Sequence, residues 1–188
     1  MGATVRSLVA KLYPFAYSVT SQESDRAVDV FRSELPFNVH EFASGLELNG
    51  WLVAPEWCVV KAEIRCNGRI IYDGKESPLG VITLSRSFVG KIDLRWLKEH
   101  LYFSSANPDA IVYHWTALYR PKERSWGFCV PRTLYDKLAD GEYGVELLTD
   151  EKPGTMKVLD YTLPGDSSDT ILLNAHNCHP YQANDDIS

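Results

Sequence analysis

The run from Asn174 to Ser188, NAHNCHPYQANDDIS, places His176, Cys178, His179, Asp185 and Asp186 close together in the chain. Imidazole and carboxylate are the ligands that zinc takes when a site must keep an open position for water. A hydrolytic two-metal site also needs a carboxylate that can bridge two ions, and an aspartate on a loop beside a strand end can do this. Asp185 is the candidate bridge. The same residue types also serve ordinary surface loops, where Asn-Asp-Asp is common turn chemistry. Spacing alone leaves both readings open.

The residues just before this run should position it. TILLNA, residues 170–175, is apolar without alternation, as expected of a central strand covered on both faces, and its C-terminal end would deliver polar residues into a loop. Upstream, EYGVELLT and TMKVLDYTLP read as further strands, separated by Lys152-Pro153-Gly154 and closed by Pro164-Gly165. Leu134 and Leu138 share a face in RTLYDKLADG, with Gly141 placed just past the end of a short helix.

The chain opens differently. Val5, Leu8, Val9 and Leu12 recur at helical spacing, as do Ala27, Val28, Phe31 and Leu35, and Thr20 with Glu23 three residues on forms a capping-box pattern. The first 36 residues therefore read as a helical hairpin ending at Pro36. From about residue 46 to 130 the chain reads as β-rich, with Asn67-Gly68 between VVKAEIRC and RIIYDG as a hairpin turn. One amphipathic helix interrupts this region, started by Asp93 and carrying Leu94, Leu97 and Leu101.

Composition excludes several function classes. With 45% hydrophobic, 12% aromatic and 23% charged residues the chain has a globular profile. A net charge of −6 lacks the clustered basic excess that a phosphate-backbone binder needs, so nucleic acid is not an expected partner. No segment is long and apolar enough to predict a membrane span. Arg6 and Lys11 interrupt what would have to be a secretory core, so the expected location is the cytoplasm. Cys58, Cys66, Cys129 and Cys178 form no CxxC pair, which points to neither a zinc knuckle nor a disulfide framework. The absence of GxSxG, P-loop and GxGxxG motifs removes the commonest serine-hydrolase and nucleotide-binding readings. Trp51, Trp57, Trp115 and Trp126, with Tyr113 and Tyr119, read as core rather than as a sugar-stacking surface. His40, His100 and His114 are isolated and read as structural.

NAHNCHPYQANDDIS resembles the HP-to-ND-x-x-SG segment of a bacterial aminopeptidase-like family related to the co-catalytic zinc aminopeptidases of clan MH. The likeness extends upstream through GWLVAPEWCVVKAEI, SPLGVITLSRSFVGKIDLRWLKEHLYF, NPDAIVYHWTALY, SWGFCVP and DGEYGVELLT, which look like that family's inserted β-rich domain and the return to its peptidase core. The resemblance covers the chain from about Glu34 onward. It implies that His179 is a ligand to the first metal and that Asp185 is the bridge, with Asp186 shaping the loop. By strand position His176 matches the ligand histidine of the wider clan, so the coordinating histidine stays open between His176 and His179, and Cys178 ranks below both. The family continues past the ND loop with further ligands, a glutamate general base and often a winged-helix domain.

The expected fold is therefore α/β, a zinc-aminopeptidase-like (phosphorylase/hydrolase-like) core left incomplete, with an inserted β-rich domain. Its parts are residues 1–45 and 131–188 for the core and 46–130 for the insertion. The resemblance implies a hydrolase acting on a peptide or small amino-acyl substrate with two zinc ions, completed by a C-terminal part or a partner fragment, or assembled as a homo-oligomer. No catalytic residue is assigned within the chain, and the chain alone is expected to be inactive. The alternative is a peptidase-like binding or scaffold protein without the chemistry.

Overall fold

The computed structural model describes residues 4–116, 120 and 123–180. In chain order the elements are α1 (Val5–Leu12), α2 (Gln22–Glu34), β1 (Asn38–Ala43), β2 (Glu47–Leu48), β3 (Trp51–Leu52), β4 (Glu56–Cys66), β5 (Arg69–Asp73), β6 (Phe88–Asp93), α3 (Leu94–Glu99), β7 (Leu101–Tyr102), β8 (Phe128–Cys129), α4 (Arg132–Tyr135), β9 (Glu142–Lys152) and β10 (Thr155–Asp160). The chain divides into two compact units. One is made of residues 1–47, 53–56 and 153–188, and the other of residues 48–52 and 57–152.

The first unit carries the helical hairpin expected at the start. Leu12 and Ala27 are fully buried with Tyr17 between them, and Tyr17 donates its hydroxyl hydrogen to the Leu12 carbonyl (2.9 Å). The helix N-cap lies one residue later than the capping-box pattern at Thr20 suggests. Ser21 is the N-cap of α2, its hydroxyl accepting from the Ser24 amide, while Thr20 is buried and donates to the carbonyls of Ala54 and Pro55. The Thr20 hydroxyl hydrogen is committed to those carbonyls, and the neighbouring Ser21 supplies the oxygen that accepts from the helix. Strands β1 and β10 pair antiparallel, from Asn38 with Asp160 to Ala43 with Thr155, and Ser44 and Gly154 extend the pairing by a backbone bond of 2.9 Å.

The second unit is built on a four-stranded sheet in the order β5-β4-β9-β6. The β4–β5 hairpin turns at Asn67-Gly68, where φ is +50° and +76°. Two consecutive left-handed residues make the turn whose twist matches paired strands, which is why Asn-Gly is the local signal. One sheet face and its covering segments form the core around Ala62, Ile64, Ile92, Leu97, Phe128, Tyr143, Val145 and Leu147. Asp93 caps α3 by accepting from the Trp96 amide (2.8 Å), as the sequence indicates, but Leu101 lies beyond the helix in β7.

Residue 130 does not end this unit. β9 pairs with β6 from Phe88–Leu147 to Asp93–Glu142, and Leu134, Tyr135 and Leu138 pack against the same core. The β-rich unit therefore runs to Lys152. Local pattern marked β9 as a strand but could not show which strand it pairs with.

Candidate functional site

The polar run at the C-terminal side is reached through residues 161–180, which contain no helix or strand. TILLNA is not a strand in the structure. Ile171, Leu172 and Leu173 are 85–89% exposed. A strand covered on both faces needs neighbours to satisfy its N–H and C=O groups, and no described strand lies beside this segment. The run has the composition of a central strand but lacks the ladder.

His179 is half-buried, and its Nδ1–H donates to the Pro180 carbonyl (2.9 Å). That bond fixes the neutral ring as the tautomer with its lone pair on Nε2, the form a metal requires. Cys178 is half-buried and His176 is exposed. Asp185 and Asp186 lie outside the described residues, and so does Tyr119. Among the described residues no group of three His, Cys, Asp or Glu side chains is arranged to hold a metal ion. The donor set thus suits zinc in kind, while the described residues do not supply a complete set.

The other histidines have structural partners. His100 stacks on Trp126 (3.8 Å between centroids, 12° between planes) and its Nδ1–H donates to the Trp126 carbonyl (2.8 Å). His114 stacks on Tyr102 at 3.8 Å, and burial lowers its pKa from the usual imidazole value. His40 hydrogen-bonds Asp160, whose second oxygen accepts from Asn38 (3.1 Å). Burial pushes the Cys129 thiol up to about 12, which makes it inert as a nucleophile. Of the tryptophans, Trp126 is buried against Phe88, and Trp57 is half-buried and donates Nε1–H to the Ser85 carbonyl (2.9 Å). Trp51 and Trp115 are more exposed than a core assignment implies.

One feature had no signal in the sequence pattern. A cavity of about 410 Å³ opens in the β-rich unit, lined by Ile71, Tyr72, Asp73, Glu76, Ile111 and Leu134 among others. Ile71, Tyr72, Asp73 and Glu76 are near neighbours in sequence, but Ile111 and Leu134 come from distant stretches, so no motif brings the full lining together.

Comparison with known proteins places these features. A family model described as "Domain of unknown function (DUF2172)" matches residues 56–150, almost all of the β-rich unit. A Clostridium acetobutylicum protein named "Putative polysaccharide biosynthesis protein with aminopeptidase-like domain" is 30% identical over all 188 residues, which span 42% of that protein. A crystal structure of a "putative peptidase" from Clostridium acetobutylicum matches with a TM-score of 0.77 and 29% identity, covering 97% of this chain and 43% of that one. The chain is therefore similar over nearly its whole length to proteins described as aminopeptidase-like or peptidase, and spans less than half of each. Among the described residues no helix is long and apolar enough to cross a membrane.

Proposed function

We propose that this chain, which belongs to the DUF2172 family, contributes part of the site of a cytoplasmic zinc-dependent aminopeptidase-like hydrolase acting on peptides or small amino-acyl compounds. The observation that carries this reading is that the likeness to an aminopeptidase-like protein covers the whole chain, histidine-bearing run included. The half-buried His179, with its Nδ1–H held by the Pro180 carbonyl, adds a ligand of suitable tautomer.

In this reading His179 and Asp185 hold the metals, with His176 as the alternative imidazole, and the remaining ligands and the general base come from sequence corresponding to the rest of the relatives' length or from a partner chain. A zinc pair, when bound, supplies polarisation of the scissile carbonyl and water of lowered pKa. The chain's own contribution is to orient the imidazole: a ring anchored through Nδ1 restricts the direction of Nε2, whereas a freely rotating ring would lose affinity to rotamer entropy. A binding or scaffold role without chemistry is the second reading, favoured by the absence of a three-donor group among the described residues.

Zinc titration by calorimetry decides between them. The 188-residue chain should bind zinc at micromolar or weaker affinity, because an incomplete and unconstrained donor set lacks the preorganisation of a four-ligand site. His179→Ala and Asp185→Ala should each weaken that binding about tenfold or more, the size expected for losing one ligand. In the full gene product Asp185→Asn should abolish release of p-nitroaniline from amino-acyl p-nitroanilides. Unchanged zinc binding in both alanine variants would overturn the metal assignment, and zinc binding without any hydrolysis by the full gene product would favour the scaffold.

A further inference from the structure

The cavity in the β-rich unit lies within the segment matched by the family of unknown function, and it is independent of the histidine run. Its volume falls within the range of small-molecule sites, which bury most of a ligand in about 300–1,000 Å³. Ile71, Tyr72, Ile111 and Leu134 give it apolar walls, and Asp73 and Glu76 give it two carboxylates. Among the described residues no lysine or arginine lines it.

The walls are held in place from outside the cavity. Tyr72 donates its hydroxyl hydrogen to the Cys129 carbonyl (2.6 Å) and meets the Phe128 ring edge-on at 6.2 Å. Asp73 accepts from the Lys75 amide (2.9 Å), closing the 3-10 turn Gly74–Glu76 and fixing the carboxylate at its start. The nearest cation in sequence is turned to another task, since the Lys75 ammonium donates to the Val60 carbonyl (2.9 Å). Burial raises the pKa of the Tyr72 hydroxyl above its usual value, and Cys129, Glu76 and Asp73 add to the same direction.

Apolar walls with two carboxylates and no cation in the lining favour one kind of occupant, a positive charge on an apolar stem. The stem replaces water on Ile71, Ile111 and Leu134, and the charge sits beside the half-buried Asp73 and the exposed Glu76. We propose that this cavity is a binding site for the lysine side chain of a peptide, or a small organic ammonium of the same build.

The test is NMR titration of the full chain with Nα-acetyl-lysine methyl amide, using Nα-acetyl-norleucine methyl amide as the neutral isostere. Shifts should centre on the amides of Asp73 and Glu76 and the methyls of Ile71, Ile111 and Leu134. The lysine probe should bind about tenfold tighter than the norleucine probe, the effect of one charge-assisted contact. Glu76→Gln and Asp73→Asn should each remove most of that preference, the asparagine still able to cap the turn. Equal affinity for the two probes, undiminished preference in a Glu76→Gln variant with an unchanged amide spectrum elsewhere, or shifts with calcium chloride but not with the lysine probe would each overturn the proposal.

Discussion

Leu147 in β9 and Leu172 in TILLNA both lie in segments that read as strands, yet Leu147 is fully buried and Leu172 is 85% exposed. The difference lies in their partners. β9 is hydrogen-bonded on both sides, by β4 and β6, and its inward residues close the core with Ile92, Phe128 and Val130. Residues 170–175 have no strand beside them among the described residues. A strand is thus a property of a pair, and hydrophobicity only makes a segment eligible for pairing.

The strongest challenge to this comparison is a pair of truncations. Phe128→Ala empties the centre of the β-rich core and should cost about 3–5 kcal/mol, whereas Leu172→Ala should stay within about 0.5 kcal/mol. Urea unfolding followed by fluorescence of the buried Trp126 measures the first, and calorimetry measures both. If Leu172→Ala destabilises the chain by more than about 1 kcal/mol, the run is packed in solution and the contrast fails.

A smaller effect sharpens the same contrast from the backbone side. A Cβ added at Gly80 would lie 2.2 Å from the Gly74 carbonyl oxygen, so Gly80→Ala must push two backbone segments apart and should cost about 1–3 kcal/mol by overpacking. Gly165, in the irregular segment, has nothing within 4 Å of its added Cβ, and Gly165→Ala should change thermal stability by no more than a few tenths of a kcal/mol.

The smallest effect marks where order stops. Asp160 ends β10, and hydrogen bonds from His40 and then Asn38 hold its pKa below the usual carboxylate value. A depressed folded-state pKa means that the contribution is present above the unfolded value of about 3.9 and is lost as pH falls through the folded value. NMR titration of the Asp160 carboxylate should therefore show a midpoint below about 3.9, rising toward it in His40→Gln. A midpoint unchanged by that substitution would remove the pair as the anchor of the last strand.

Much of the fold was legible from local sequence. Asn67-Gly68 marked its hairpin because two positive φ values are needed there, and Asp93 marked the start of α3 because its carboxylate reaches the Trp96 amide. What escaped was non-local. Thr20 was read as a cap because nothing nearby shows that its hydroxyl is held by Ala54 and Pro55. The boundary at residue 130 was placed too early because the β6–β9 pairing joins distant residues, from Phe88 with Leu147 to Asp93 with Glu142. Of the candidate site, His179 could be given a tautomer, but the partnership with Asp185 lies outside the described residues. The cavity was invisible because Ile111 and Leu134 reach the 71–76 segment only through the fold.

The pairing of β1 with β10 imposes a schedule on synthesis. His40 leaves the ribosome 120 residues before Asp160, the partner that holds it. At about 5–20 residues per second the first strand must wait roughly 6–24 s for its mate. A hairpin such as β4–β5 closes in about 1–10 microseconds. The intervening β-rich unit therefore has time to fold while β1 remains an open edge, so during translation this chain depends for several seconds on whatever shields that edge, and a slower ribosome lengthens the exposure in direct proportion.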